Sequence, residues 1–227
     1  MYRKPNYFGY RRWLYRPFLA ALAKKAGLRP GSTLLDAGCG QGFFAGLLSE
    51  LGFTVTGVDV SAAGIEAANT RFGNKTTSFR TGDIMSLPYN STFDCVYCRS
   101  CSFYNEHDLQ RLHSVSDALL SYVKPGGVLI FAYYTKLSPR KTSSYWRYHQ
   151  LAPIRQHFAR YPYAEVYFSL RFEAILFRSW TCTSALTRLN SLVSRFTGLG
   201  GEAIAMVRKS ADPSASATPI TAGQAQP

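Results

Sequence analysis

No stretch of this chain comes near the ~20 consecutive apolar residues that a membrane-spanning helix requires, although 46% of its 227 residues are hydrophobic and 15% aromatic. A folded domain with a sizeable core is expected instead. The first residues, MYRKPNYFGYRRW, lack the apolar region of a secretory leader, so the expected address is cytoplasmic. No internal repeat is present. Acid is scarce, with 13 Asp and Glu against 26 Lys and Arg and a net charge of +13. The scarcity is regional. Residues 1–30 hold eight basic residues and no acid, residues 31–135 six basic and nine acidic, and residues 136–210 twelve basic and three acidic. A basic surface attracts phosphate in any form, whether nucleic acid, anionic membrane or lipid-linked sugar, and does not choose among them. It is also the composition of a plain solubilising surface. In YRKPNYFGYRRWLYRPF and SSYWRYHQ, however, the charges interleave with rings that can stack on a planar or sugar ligand. That pattern favours a substrate-facing surface.

Cysteine is sparse, five residues in all, and three of them, Cys95, Cys98 and Cys101, form C-x-x-C-x-x-C. The spacing invites a metal site with Cys182 or His107 as a fourth ligand. Residues 95–98 fall in an expected strand, where side chains three apart point to opposite faces, so no metal is expected. The thiols read as small buried side chains, Cys39 included, and reduced cysteine agrees with a cytoplasmic protein.

What the chain does contain is LLDAGCGQGFFAGLL at residues 34–48. An apolar strand ending in Asp36 runs into Gly38, Gly40 and Gly42 and then into an apolar helix. Such a turn lets the backbone pass close under a ligand. The dinucleotide fingerprint G-x-G-x-x-G fails here, because its third glycine would be Phe43. A carboxylate two residues before the first glycine suits an ammonium group better than a pyrophosphate. A methionine-like zwitterion fits.

On these residues the chain resembles the class I S-adenosylmethionine-dependent methyltransferases, whose first motif is D-x-G-x-G-x-G. VTGVDVS at 55–61 is similar to the family's second strand, which places Asp59 on the ribose hydroxyls with Val60 beside it. TGDIMSLPY at 81–89 looks like the third motif, with Asp83 reaching the adenine amino group and Ile84 packing on the ring. FDCVYCRS at 93–100 resembles the fourth strand, ending at Arg99, and VKPGGVLIF at 123–131 the fifth. The resemblance covers roughly 30–135. It implies S-adenosyl-L-methionine as cofactor, bound by Asp36, Gly38, Gly40, Gly42, Asp59, Val60, Asp83, Ile84 and Arg99, and no metal.

The expected fold is α/β, a Rossmann-like doubly wound, seven-stranded, mostly parallel sheet with helices on both faces. The alternation reads as a helix at 17–26 opened by Pro17, then strand 33–37, helix 42–51, strand 54–58 and helix 61–72. Strands 77–81 and 93–98, a helix at 106–122 and strand 127–134 follow. Residues 1–30 form a basic, aromatic lid and helix, 31–135 the cofactor-binding core, 136–209 a specificity insert with the last strands, and 210–227 a disordered tail. Within the insert, 146–160 contains one or two short helices, EVYFSLRFEAILF is a sixth strand or a buried helix, 183–196 is helical and 201–209 is the last strand.

Transfer from a sulfonium is an in-line displacement that needs positioning and, for a hydroxyl acceptor, a base. RSCSFYNEHD follows the fourth strand, where the family's methyl group points. It offers His107 as a base at neutral pH and Tyr104 as a contact, with Asn105 as the cap of the following helix. His113 reads as structural; His149 and His157 stay open. RSCSFYN does not resemble the D-P-P-Y or N-P-P-Y motif of family members that methylate exocyclic amines, which lowers the case for nucleic acid. The expected function is methyl transfer to a small molecule, anionic or lipid-linked, such as a sugar or secondary metabolite. The alternatives are an RNA or protein methyltransferase using the basic flanks, and a protein that binds the nucleoside without catalysis.

Overall fold

The computed structural model describes residues 11–135, 146–169, 171–176, 178, 180 and 202–211. The elements run α1 (Arg12–Ala26), β1 (Thr33–Ala37), α2 (Phe43–Glu50), β2 (Thr54–Asp59), α3 (Ala62–Phe72), β3 (Thr77–Thr81) and β4 (Phe93–Arg99). After two short 3₁₀ turns come α4 (His113–Ser121), β5 (Val123–Tyr133), α5 (Leu151–Phe158), β6 (Ala164–Ser169), α6 (Arg171–Leu176) and β7 (Glu202–Arg208). The seven strands form one sheet in the order β3-β2-β1-β4-β5-β7-β6, with β7 antiparallel to both neighbours and the first five strands parallel. This is the expected doubly wound sheet.

Its centre is apolar because β1 and β4 are buried on both faces: Leu34, Leu35, Ala37, Cys95, Val96 and Cys98 are all at most 1% exposed. One core cluster joins Leu34, Cys95 and Tyr97 to α1 and α2; the other joins Leu35, Val96 and Cys98 to α4 and α5. Cys95 and Cys98 therefore face opposite sides of the sheet, as a spacing of three on a strand demands. Among the described residues no helix is long and apolar enough to cross a membrane.

Several elements differ from expectation, and β5 starts four residues before the expected 127. Helix α1 starts at Arg12, with Pro17 inside it. A proline there costs about 3 kcal/mol, but Leu14, Tyr15, Phe18, Leu19 and Leu22 form one buried stripe that offsets it. The helix expected over 106–122 is instead the 3₁₀ turn Leu109–Leu112 followed by α4, with a separate 3₁₀ turn, Ser102–Tyr104, ahead of it. The Asp108 side chain accepts from the Gln110 N–H at 3.0 Å and is the N-cap of the second turn, whereas the Asn105 side-chain Oδ1, the expected cap, accepts from the Arg147 N–H at 2.6 Å. EVYFSLRFEAILF supplies both a strand and a helix, β6 and α6. The helix expected over 183–196 and nearly all of the tail lie outside the described residues.

Candidate active site

Strand order reverses between β1 and β4, and the carboxyl ends of parallel strands at such a point leave a crevice. A cavity of about 500 Å³ lies there. One part of its lining is Asp36, Gly38, Cys39, Gly40, Gln41, Asp59, Val60, Ser61 and Ile84; another is Arg12, Phe43, Phe44, Arg99, Ser100, Cys101, Ser102, Phe103 and Trp146.

The glycine turn has the geometry that its composition implies. Gly38, Gly40 and Gly42 have φ of 77°, 55° and 77°, which side chains with a Cβ rarely adopt. Gly38 and Gly40 line the cavity, but Gly42 does not: a Cβ on it would meet Ala68 and the Phe79 ring at 2.8 Å. Its smallness packs the start of α2 against α3 and β3.

Asp59 closes the turn from β2, accepting the Gly40 N–H through Oδ2 and the Ser61 N–H through Oδ1, each at 2.9 Å. Asp36, 2% exposed, is different. Its Oδ2 has no hydrogen-bond partner among the described residues. Burial, with the Asp59 charge assisting, pushes its carboxyl up to about 7, against the Ala45 N–H and the Arg99 charge. An unpartnered carboxylate oxygen in a cavity is matched by a cation with hydrogens to donate.

Arg99 ends β4 inside a buried cluster. Its Nε and Nη2 donate to Glu202 at 3.1 and 2.9 Å, and Nη2 also reaches the Tyr134 hydroxyl at 2.8 Å and the Tyr15 hydroxyl at 3.3 Å. The Phe44 ring lies 4.5 Å from the guanidinium. Arg171 brings a second cation 3.7 Å from Glu202. Arg99 is thus held rigidly by α1, β7 and the segment after β5.

The remaining expected site residues are elsewhere. Asp83 is exposed, does not line the cavity, and accepts the Met85 N–H of its own turn at 2.9 Å. Tyr104, 1% exposed, points away into the core: its hydroxyl is 2.7 Å from Ser116 Oγ, which is 2.8 Å from His157 Nε2. His107 is exposed and outside the lining. Neither residue is brought to the cavity, because the 3₁₀ turn after Cys101 rotates Tyr104 inward and carries His107 to the surface. His149 binds the Tyr104 carbonyl at 2.8 Å and is likewise structural. Arg12, Phe43, Phe44, Cys101 and Trp146 enter the site without having been expected there. The signal for Arg12 and Trp146 is compositional, the arginine and aromatic interleaving around them; Phe43, Phe44 and Cys101 stand within the glycine and cysteine motifs but are not among the expected site residues.

Comparison with known proteins agrees with this geometry. Residues 35–131 match the family model described as a methyltransferase domain. An uncharacterised methyltransferase of Bacillus subtilis is 34% identical over 116 residues, 50% of this chain and 48% of that protein. The 2-methyl-6-phytyl-1,4-hydroquinone methyltransferase of Synechocystis is 30% identical over 136 residues, 57% of this chain and 42% of its own. The chain thus spans about half the length of these relatives. A putative methyltransferase of Haloferax volcanii, solved with the Trm112 activator, superposes with a TM-score of 0.63 over 88% of this chain and 92% of its own at 21% identity. Magnesium protoporphyrin IX methyltransferase of Synechocystis, solved with bound S-adenosylhomocysteine, gives 0.57 over 88% and 85% at 19% identity.

Proposed function

We propose that this chain, whose residues 35–131 match the model of a methyltransferase domain, is of the class I, S-adenosylmethionine-dependent type and transfers a methyl group from that cofactor to a small-molecule acceptor. One observation carries the reading: Asp36, with a buried and unpartnered oxygen, stands at the head of a glycine turn whose other end is tied to Asp59. The residues present fit the cofactor. Asp36 would take its ammonium group, Gly38 and Gly40 the methionine portion, Asp59 the ribose, and Val60 and Ile84 the two faces of the adenine. Bound there, the cofactor supplies an electrophilic methyl group on a sulfonium.

The protein's own contribution is placement. Phe43, Phe44, Phe103 and Trp146 give the other part of the cavity apolar and aromatic walls that exclude water and accept ring faces. Arg12 and Arg99 set positive charge beside those walls. An acceptor that combines a ring or apolar body with an anionic group matches this lining. The acceptors named for two similar proteins, a hydroquinone and a porphyrin, are ring systems, which supports the aromatic half of the reading.

The test is calorimetric titration with S-adenosylhomocysteine, followed by a methyl-transfer screen against phenolic acids, anionic sugars and RNA. Micromolar binding with product from the first two classes is the expected result. Product from RNA alone would replace the small-molecule reading, and no binding by folded protein would remove the enzyme assignment.

A further inference from the structure

Two buried side-chain oxygens in the cavity lining have no hydrogen-bond partner among the described residues, Asp36 Oδ2 and Ser100 Oγ. The first is assigned above to the cofactor's ammonium group. The second is left over, and a buried hydroxyl without a partner is a cost that a ligand able to hydrogen-bond it removes.

Ser100 also holds a conformation that a serine does not favour. It follows β4 with φ of 49°, in the left-handed region where glycine meets no penalty. Its own N–H donates to the Ala132 carbonyl at 2.9 Å, which ties this turn to β5. Two other described residues with a Cβ have positive φ, Ser91 and Arg178, and neither lines the cavity. The Ser91 hydroxyl is engaged, 3.3 Å from Asn90 Oδ1 and 3.2 Å from Lys209 Nζ. Ser61, which does line the cavity, uses its Oγ to accept the Gly64 N–H at 3.2 Å as the cap of α3. Among these residues Ser100 alone combines a strained backbone with a hydroxyl that the fold does not use.

Strand order shows which end of the cavity Ser100 serves. β1 lies between β2 and β4, with Ala37 opposite Cys98. Val60 follows β2 and Ile84 follows β3, so the adenine faces assigned to them lie on one side of the glycine turn. Ser100 comes from the other side, and the adjacent Cys101 sulfur is 3.5 Å from a Cβ placed on Gly38. Ser100 thus belongs to the wall that contains Arg99 and Phe103, beside the turn assigned to the methionine portion.

We propose that Ser100 is a specificity contact for the acceptor, and that its hydroxyl pairs with a hydroxyl group carried by the acceptor's ring. A hydroxyl both donates and accepts, so serine matches a second hydroxyl in either direction. The proposal rests on the methyltransferase reading above and narrows its acceptor to hydroxylated ring anions.

The experiment compares wild type with Ser100→Ala, which deletes the hydroxyl, and Ser100→Gly, which deletes the hydroxyl and suits the positive φ. The urea midpoint is expected to hold or rise in both. A clear fall in Ser100→Ala would reveal a structural role for the hydroxyl and overturn the proposal. Calorimetric affinity for S-adenosylhomocysteine is expected to stay within about twofold in both variants, and a loss of about tenfold would give the hydroxyl to the cofactor and overturn it. With S-adenosylhomocysteine saturating, the three isomers of hydroxybenzoate are then titrated against benzoate. The wild type is expected to bind at least one isomer about five- to tenfold more tightly than benzoate, and both variants to lose that preference. Absence of any hydroxyl preference in the wild type, or a preference kept by the variants, overturns the proposal. Failure of the folded wild type to bind S-adenosylhomocysteine would instead fault the methyltransferase reading, whereas cofactor binding without hydroxyl preference faults this proposal alone.

Discussion

Two polar clusters lie on either side of β4. One opens on the cavity: Asp36, Asp59, Cys101 and Arg99 line it, one carboxylate oxygen is left unpartnered, and a carboxyl is pushed up to about 7. The other, Tyr104, Ser116 and His157, forms a chain of hydrogen bonds of 2.7 and 2.8 Å sealed between α4 and α5, with the His113 ring stacked on His157 at 4.7 Å. The second has the residue types of a catalytic relay, yet none of its members lines the cavity. Residue type alone does not separate chemistry from architecture. Access does: His157 Nδ1 also lacks a hydrogen-bond partner among the described residues, but it lies outside the cavity lining, whereas the unpartnered Asp36 oxygen belongs to a residue that lines it.

The comparison can be broken most severely at Glu202. Glu202→Leu leaves Arg99 and Arg171 buried without their carboxylate, and a loss of about 3–5 kcal/mol is expected in urea unfolding, together with loss of cofactor binding. A loss below about 1 kcal/mol would mean that the cluster is solvated.

Asp36→Asn sharpens the contrast by acting in opposite directions on stability and binding. The folded carboxyl titrates near 7 and the unfolded one near 3.8. From pH 4 to 7 the unfolded chain therefore ionises first at this residue, and the contribution of Asp36 to folding stability falls as pH rises. The variant removes that fall and is expected to gain about 2 kcal/mol above pH 7 while binding S-adenosylhomocysteine at least about tenfold more weakly. In the wild type, binding below pH 7 should release a proton, measurable by calorimetry in buffers of different ionisation heat. Stability and binding that fall together would assign Asp36 to architecture.

Acid tests the sealed cluster. Burial, with the neighbouring His113 assisting, lowers His157 from 6.5 to about 4. A depressed imidazole contributes stability above the unfolded value, and that stability is lost as pH falls from 6.5 through 4. Because Asp36 acts in the opposite direction over the same window, the readout is the difference: as pH falls, the urea midpoint of the wild type should fall relative to that of His157→Phe. Equal slopes would place the acid sensitivity elsewhere.

The smallest effect is expected from Tyr104→Phe, which removes one buried hydrogen bond: about 1 kcal/mol of stability and no change in S-adenosylhomocysteine affinity. Weakened cofactor binding would return Tyr104 to the site.

Most of the sheet was legible because parallel strands buried on both faces are written as unbroken apolar runs, and their glycines and aspartates punctuate the turns that a ligand must approach. Asp36, Gly38, Gly40, Asp59, Val60, Ile84 and Arg99 could be named from the family resemblance that such local patterns carry, and all seven line the cavity. Gly42 and Asp83 belong to the same patterns and do not. One packs a helix and the other caps its own turn. Local sequence determined the order of elements, the glycine turn and the carboxylates beside it, since backbone conformation and burial on a strand depend on neighbours within a few residues. Only the tertiary structure decided that Tyr104 faces inward and Cys101 faces the cavity. A single residue with positive φ, Ser100, sets that direction, and the rotation is held by His149 and Arg147, more than forty residues away along the chain.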